Sequence, residues 1–334
     1  MTPAPPAEGG WTVQNQQECR IPLLVVAGPT ASGKTGLGVE LCLRHSGEVV
    51  SADSMQIYRG MDIGTAKATP EERRGVPHHL MDFLPPEQSF SVADYVRMAS
   101  EAIADIRSRG KLPVLVGGTG LYISSLVDNL DFSPSPQSPQ LRQQLREKAL
   151  RCGNAALLEE LRGFDPETAE KLHENNLGRV IRAIEVYRLT GVTMAETVRR
   201  SRQKASPYQL CMLGLTTTDR QLLYSRIDRR VDQMMAGGLP QEAKALLGRP
   251  LSPTARQAIG YKELEPWLQG TATLEQCAGT IKQETRRYAK RQLTWFRRDG
   301  RFHWLEVDRY DSVEALAAAA EPWIAAELAA EQKV

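Results

Sequence analysis

Leu23-Leu24-Val25-Val26-Ala27-Gly28-Pro29-Thr30-Ala31-Ser32-Gly33-Lys34-Thr35 is the stretch on which the fold turns. A short, wholly apolar run that ends at a glycine is the pattern of a strand buried on both faces of a parallel sheet. The following eight residues, Gly28 to Thr35, spell G-x-x-x-x-G-K-[ST], and Gly36 to Arg44 behind them has helical spacing. Strand, glycine-rich loop and helix in that order make a phosphate cradle. Its amide N–H groups converge at a helix N-terminus whose dipole favours anions; Lys34 adds a point charge, and the Thr35 hydroxyl can ligate Mg²⁺. The motif fixes a polyphosphate but not the bond that breaks, because kinases, hydrolases and transferases share the loop.

Working outward, Val49–Ala52 and Leu112–Val116 are further apolar strand patterns, separated by the helical stretch Val92–Arg109. Leu210–Leu215 reads as a return to the sheet. This βα succession predicts an α/β fold: a P-loop NTPase-like parallel sheet core whose ligands sit at the carboxyl ends of the strands. Residues 131–139 are rich in Pro and Ser, and Gln140 to Arg202 is helical in pattern. Residues 131–202 are therefore expected to form a helical insertion domain. The core is then built from 21–130 and 203–334 and carries a helical C-terminal half, with Arg220–Met235 and the alanine-rich packing helix Asp311–Glu331 among its helices. Residues 1–20, rich in Pro, Gly and Gln without periodicity, are expected to be a disordered leader.

Composition narrows the class further. With 334 residues, 41% hydrophobic and 25% charged, the chain can bury a core of about two domains, which excludes a disordered protein. Five scattered cysteines with no C-x-x-C pair argue for a reducing compartment. No apolar run reaches membrane-spanning length and no basic segment opens the chain, so a cytoplasmic protein without membrane contact is expected, with monomer as the default.

The second strand ends in Ser51-Ala52-Asp53-Ser54-Met55-Gln56, which places Asp53 beside the phosphate loop, where a carboxylate can act as general base. An isolated aspartate at such a point more often caps a turn. Ser54 and Gln56 add groups suited to reading a base edge. The third apolar strand runs into Gly117-Gly118-Thr119 rather than into the acid that a hydrolysing P-loop protein shows, which weakens an ATPase reading. Thr119 is a candidate helix cap or ligand contact. Between Ile281 and Arg298 seven basic residues (Lys282, Arg286, Arg287, Lys290, Arg291, Arg297, Arg298) stand against Glu284, in a chain whose net charge is only +2. Tyr288, Trp295 and Phe296 interleave aromatic surface, a combination that suits RNA phosphates and unpaired bases, although solvated basic helix faces are common. Arg226 and Arg230 share a helix face that can lean toward the phosphate loop or pair with Asp228 and Asp232. His78-His79 lacks a metal-ligand set and reads as structural.

Taken together, the phosphate loop, the run Ser51 to Lys67, Gly117-Gly118-Thr119, Arg179-Val180-Ile181-Arg182-Ala183, Ile259-Gly260-Tyr261-Lys262 and Lys290-Arg291-Gln292-Leu293-Thr294-Trp295 resemble the bacterial tRNA dimethylallyltransferases, also called tRNA isopentenyltransferases. The resemblance spans Ile21 to about Trp304. It implies transfer of a dimethylallyl group from dimethylallyl diphosphate to N6 of adenosine 37, just 3′ of the anticodon, with tRNA anticodon stem-loop and donor as partners. Gly28, Pro29, Thr30, Ala31, Ser32, Gly33, Lys34 and Thr35 would bind the diphosphate. Mg²⁺ on Thr35, with Lys34 and Arg230, would neutralise it as it leaves, and Asp53 would take the proton from N6. Asp53, Ser54, Met55, Gln56 and Thr119 would contact the extruded adenine. Arg142, Arg179, Arg182, Gln257, Gly260, Tyr261, Lys262, Lys290, Arg291, Gln292 and Arg297 would grip the RNA. Many relatives carry glutamine where this chain has Gly178. ATP-binding labels attach to such loops, but this chemistry gives ATP no role. The alternatives are adenylate isopentenyl transfer to free AMP or ATP, a P-loop nucleotide kinase, and a non-catalytic nucleic-acid binder.

Overall fold

The computed structural model describes residues 20–130, 137–202 and 204–328; the expected leader, apart from Arg20, and residues 131–136 of the Pro/Ser segment lie outside them. The core opens as β1 (Ile21–Ala27), α1 (Lys34–Arg44), β2 (Gly47–Ala52), α2 (Pro70–Arg73), β3 (His78–His79), α3 (Val92–Ser108), β4 (Leu112–Gly117) and α4 (Gly120–Val127). The helices α5 (Pro139–Cys152), α6 (Asn154–Arg162), α7 (Pro166–Glu170), α8 (Leu177–Thr190) and α9 (Met194–Ser201) follow. The chain then adds β5 (Tyr208–Thr216), α10 (Arg220–Ala236), α11 (Leu239–Leu247), α12 (Glu265–Leu268), α13 (Leu274–Phe296), β6 (Phe302–Glu306) and α14 (Val313–Leu328).

The six strands are parallel in the order β3-β2-β4-β1-β5-β6. Leu24 and Val26 on β1 point into one apolar layer with α1 and α14; Leu23 and Val25 point into the other with α3 and α4. Burial on both sides explains why β1 is apolar at every position instead of alternating. Two strands lay outside the sequence reading. The histidine pair forms edge strand β3, with His79 Nε2 2.7 Å from Glu48 Oε2, and Phe302–Glu306 pairs along β5 as the opposite edge.

Helices α5 to α8 enclose an apolar cluster of their own, built on Leu145, Leu157, Leu161, Val180 and Ile184. Another cluster lies below the strand ends, where Ile57, Tyr58 and Met61 meet α11, α13 and the 255–264 segment. That second cluster supports the floor of the site.

Candidate active site

β1, β2 and β4 run side by side, so their carboxyl ends deliver the phosphate loop, Asp53 and Gly117-Gly118-Thr119 to one rim. Gly33, at the N-cap of α1, has φ 85°, a left-handed turn that glycine adopts without a Cβ penalty, and no side chain caps the helix. Lys34 Nζ reaches back to the Pro29 carbonyl at 3.4 Å. The Ser32 hydroxyl is buried without a hydrogen-bond partner, an orphan donor inside the loop.

Asp53 Oδ1 accepts the N–H groups of Met55 (2.9 Å) and Gln56 (3.3 Å), which fixes the carboxylate and leaves Oδ2 without a protein hydrogen bond among the described residues. The turn role expected of an isolated aspartate thus occupies one oxygen and leaves the other without a protein partner in the cleft lining. Thr119 stands at the N-cap of α4 but makes no side-chain cap bond; its hydroxyl accepts from Ser54 N–H at 3.0 Å and joins the loops after β2 and β4. Gln56 donates its amide to the carbonyls of Thr65 (3.0 Å) and Ala66 (3.2 Å).

A cleft of about 260 Å³ unites these groups. Thr30, Lys34, Thr35, Asp53, Ser54, Met55 and Gln56 line it together with Arg230, Gln257, Gly260, Lys262, Arg291 and Gln292. Arg230 Nη1 lies 3.5 Å from Thr30 Oγ1, so of the pair Arg226 and Arg230 on α10 this one leans over the phosphate loop. Burial pulls the Lys34 ammonium down to about 8, with Asp53 opposing and Arg230 adding to the fall. Burial also lowers Arg230, against the charges of Glu72 and Asp53. Two half-buried cations near one loop, offset by Asp53 and, for Arg230, also by Glu72, suit a ligand carrying negative charge. A divalent cation fits the donor set as well: Thr35 and Asp53 offer hard oxygens, and Mg²⁺ commonly takes only one or two protein ligands beside substrate phosphates.

The cleft also has an apolar wall that sequence patterning did not disclose: Ile227, Val231 and Met234 from α10, Ile259, and Ile281 from α13. Tyr288 lines it too; burial, and next the charge of Asp53, push its phenol pKa upward and keep the hydroxyl neutral. Glu242 on α11 accepts the N–H groups of Asp62, Ile63 and Gly64 and the hydroxyl of Tyr261, at 2.7 to 3.0 Å, and so holds the 62–64 turn in the cleft wall. In the sequence Glu242 is indistinguishable from a surface acid on a helix.

Several expected RNA contacts sit differently. Tyr261 is 0% exposed, with its hydroxyl on Glu242, and braces the fold rather than facing RNA; that expectation is corrected. Gln292 is 5% exposed, accepts Thr30 N–H at 2.9 Å and donates to Gly118 O at 2.8 Å, so its amide bolts α13 to the phosphate loop. Arg142 and Arg182 both pair with buried Glu185. Lys282 and Arg286 pair with Asp232 and Asp228 on α10, so that part of the basic face is an interhelical ladder. Arg179, by contrast, meets Arg287, Lys290, Arg291 and Arg298 in one open groove beside the cleft. Arg297 is exposed beyond the end of α13 and stands apart from the cleft lining. Gly178 adjoins Arg179 in open space.

A family model described as IPP transferase matches residues 56–299, and one described as isopentenyl transferase matches 21–89. The chain belongs to the IPP transferase family. Among its relatives in that family, the tRNA dimethylallyltransferase of Thermoanaerobacter sp. (strain X514) is 46% identical over 299 residues, 89% of this chain and 95% of the relative. That of Halalkalibacterium halodurans is 48% identical over 290 residues, 86% and 92% of the two chains. The full-length tRNA isopentenylpyrophosphate transferase from Bacillus halodurans superposes with a TM-score of 0.69 at 43% identity, covering 93% of this chain and 99% of that one. A eukaryotic dimethylallyltransferase acting on tRNA gives 0.74 at 30% identity, covering 89% and 77%. The chain is thus an IPP transferase family enzyme on the P-loop NTPase-like fold of these neighbours.

Proposed function

We propose that this enzyme transfers the dimethylallyl group of dimethylallyl diphosphate to N6 of adenosine 37, just 3′ of the anticodon in tRNA. The observation that carries the reading is the cleft itself, where a phosphate loop, a carboxylate with one free oxygen and an apolar wall line the same space. The phosphate loop, with Lys34 and Arg230, holds the diphosphate. Ile227, Val231, Met234 and Ile259 form a dry wall for the five-carbon chain, where solvent water is kept from the allylic carbon. The allylic C–O bond breaks, its electron pair leaves with the diphosphate, and the N6 lone pair forms the new C–N bond. Asp53 Oδ2 accepts the N6 proton.

Thr35 would hold a Mg²⁺ ion beside the diphosphate, and when bound the ion would supply charge neutralisation of the leaving group. Ser54, Met55, Gln56 and Tyr288 line the space into which the adenine must be extruded, since N6 is inaccessible within a stacked loop. The groove of Arg179, Lys290 and Arg291 takes the RNA backbone, with the α5–α9 helices as the second wall; the cytoplasm is the compartment that holds this substrate.

Labelled dimethylallyl diphosphate offered in parallel with unmodified tRNA, AMP and ATP tests the proposal. Label is expected in tRNA alone. Label in AMP or ATP would instead assign free-nucleotide prenylation, and movement of the ATP γ-phosphate would assign a kinase.

A further inference from the structure

Three aromatic side chains on the basic helix have three fates. Phe296 is buried in the sheet core at 2% exposure, Tyr288 lines the cleft, and Trp295 is 39% exposed. Exposure alone says little about one hydrophobic residue. Trp295, however, is held in place. Its Nε1–H donates to Ser124 Oγ at 3.3 Å, and the indole lies so close over Gly120 that a Cβ there would collide with its pyrrole edge. The side chain is thus locked against the first turn of α4 while keeping open surface.

Its surroundings carry the second observation. Trp295 and Arg298 together line two adjoining depressions, one of about 550 Å³ toward Arg179 and Lys290, the other of about 380 Å³ toward Arg202 and Arg301. Arg291 lines the first of these and also the cleft, so the concave surface continues from Asp53 to the indole. Among the described residues Arg179 on α8, Lys290 and Arg291 on α13, and Arg298 just beyond it form no ion pair, Arg291 lying over the Tyr288 ring, whereas Lys282, Arg286 and Arg287 on α13 do. Unpaired cations around a pinned, exposed aromatic make the arrangement that binds unstacked bases and their flanking phosphates.

We propose that Trp295 is the stacking platform for a second unpaired base of the RNA loop, with Arg298 and Arg179 holding the adjacent phosphates. This rests on the tRNA reading above and extends it. Seven residues separate Trp295 from Tyr288, about 10 Å along the helix axis, so the base on Trp295 is a neighbour of the adenine in the cleft and not that adenine. Stacking is tolerant of base identity, so the subsite selects an unpaired, splayed nucleotide more than a particular base.

An abasic scan tests this. Anticodon stem-loops lacking one loop base at a time, except the reacting adenosine, are titrated against the wild-type enzyme, Trp295→Ala, Trp295→Leu and Trp295→Phe. One position is expected to cost the wild-type enzyme about 5- to 100-fold in affinity. That loss persists in Trp295→Phe and disappears in Trp295→Leu, which keeps apolar bulk without a stacking face, and in Trp295→Ala. Affinity for dimethylallyl diphosphate without RNA stays within twofold throughout, a readout that a merely structural role would not spare. Losses that simply add in every variant, or no sensitive position, overturn the subsite while the intact loop is still bound and prenylated. Failure of the wild-type enzyme to bind and prenylate the intact loop overturns the tRNA reading and the subsite with it.

Discussion

At the residue scale, a side chain's place in the cleft was legible where it follows from a strand end or loop. Lys34 and Thr35 follow from the phosphate motif, and Asp53 from standing one residue beyond β2. The depressed Lys34 ammonium has a checkable consequence. With a pKa near 8 in the free enzyme, half the lysines are neutral at pH 8 and about ten in eleven at pH 9. A bound diphosphate favours the protonated form, so binding above pH 8 must take up a proton and grow weaker. Titration of dimethylallyl diphosphate without RNA is expected to show Kd rising about fivefold from pH 8 to 9 with proton uptake, both abolished in Lys34→Met. A flat profile in the wild-type enzyme would place the titration elsewhere. Gln292, Tyr261 and Glu242 were not legible in the same way. Each acts through hydrogen bonds to groups far away in sequence, as Gln292 does to Thr30, and such bonds leave no periodic trace.

At the element scale, the strands buried on both faces announced themselves, and the edges did not. β3 is two residues long, and β6 exists because β5 offers it a free edge. Glu48 shows what secures the far end of the sheet. It is the second residue of β2, is 2% exposed, and its carboxylate meets Arg109 after α3, Lys111 (2.6 Å) before β4 and His79 (2.7 Å) on β3. The Arg109 hydrogen bond, countering desolvation, holds its pKa well below the usual carboxylate range. Because the folded-state pKa is depressed, this contribution is full above the unfolded value and is lost progressively as pH falls from there through the folded-state value. Glu48→Gln is expected to lose about 3 kcal/mol, at the low end for a broken buried pair because Arg109 and Lys111 keep access to water. Urea denaturation at pH 7 measures the loss; a change below about 0.5 kcal/mol would show that the cluster holds nothing together.

At the scale of the whole molecule, the sequence led to the expectation of a helical insertion beside a sheet core but could not orient one on the other. The proximity of Arg179 to Lys290 and Arg291, more than a hundred residues away, arises only when the chain folds. It also sorts the basic helix, since Lys282 and Arg286 face α10 while Lys290 and Arg291 face the groove. Removing Lys290 or Arg291 is therefore expected to weaken tRNA binding and flatten the slope of log K against log salt by about 0.7 to 0.9 each. Lys282→Ala should leave the slope unchanged; equal slopes for all three variants would erase the distinction. The central claim is that one cleft holds a departing diphosphate and a carboxylate able to deprotonate the attacking amine. Single-turnover prenylation by Asp53→Asn, with tRNA and donor saturating, tests it most directly. The account predicts affinities for both substrates within a few fold of wild type and a rate lower by about 10²- to 10⁴-fold. An undiminished rate at full saturation would contradict it.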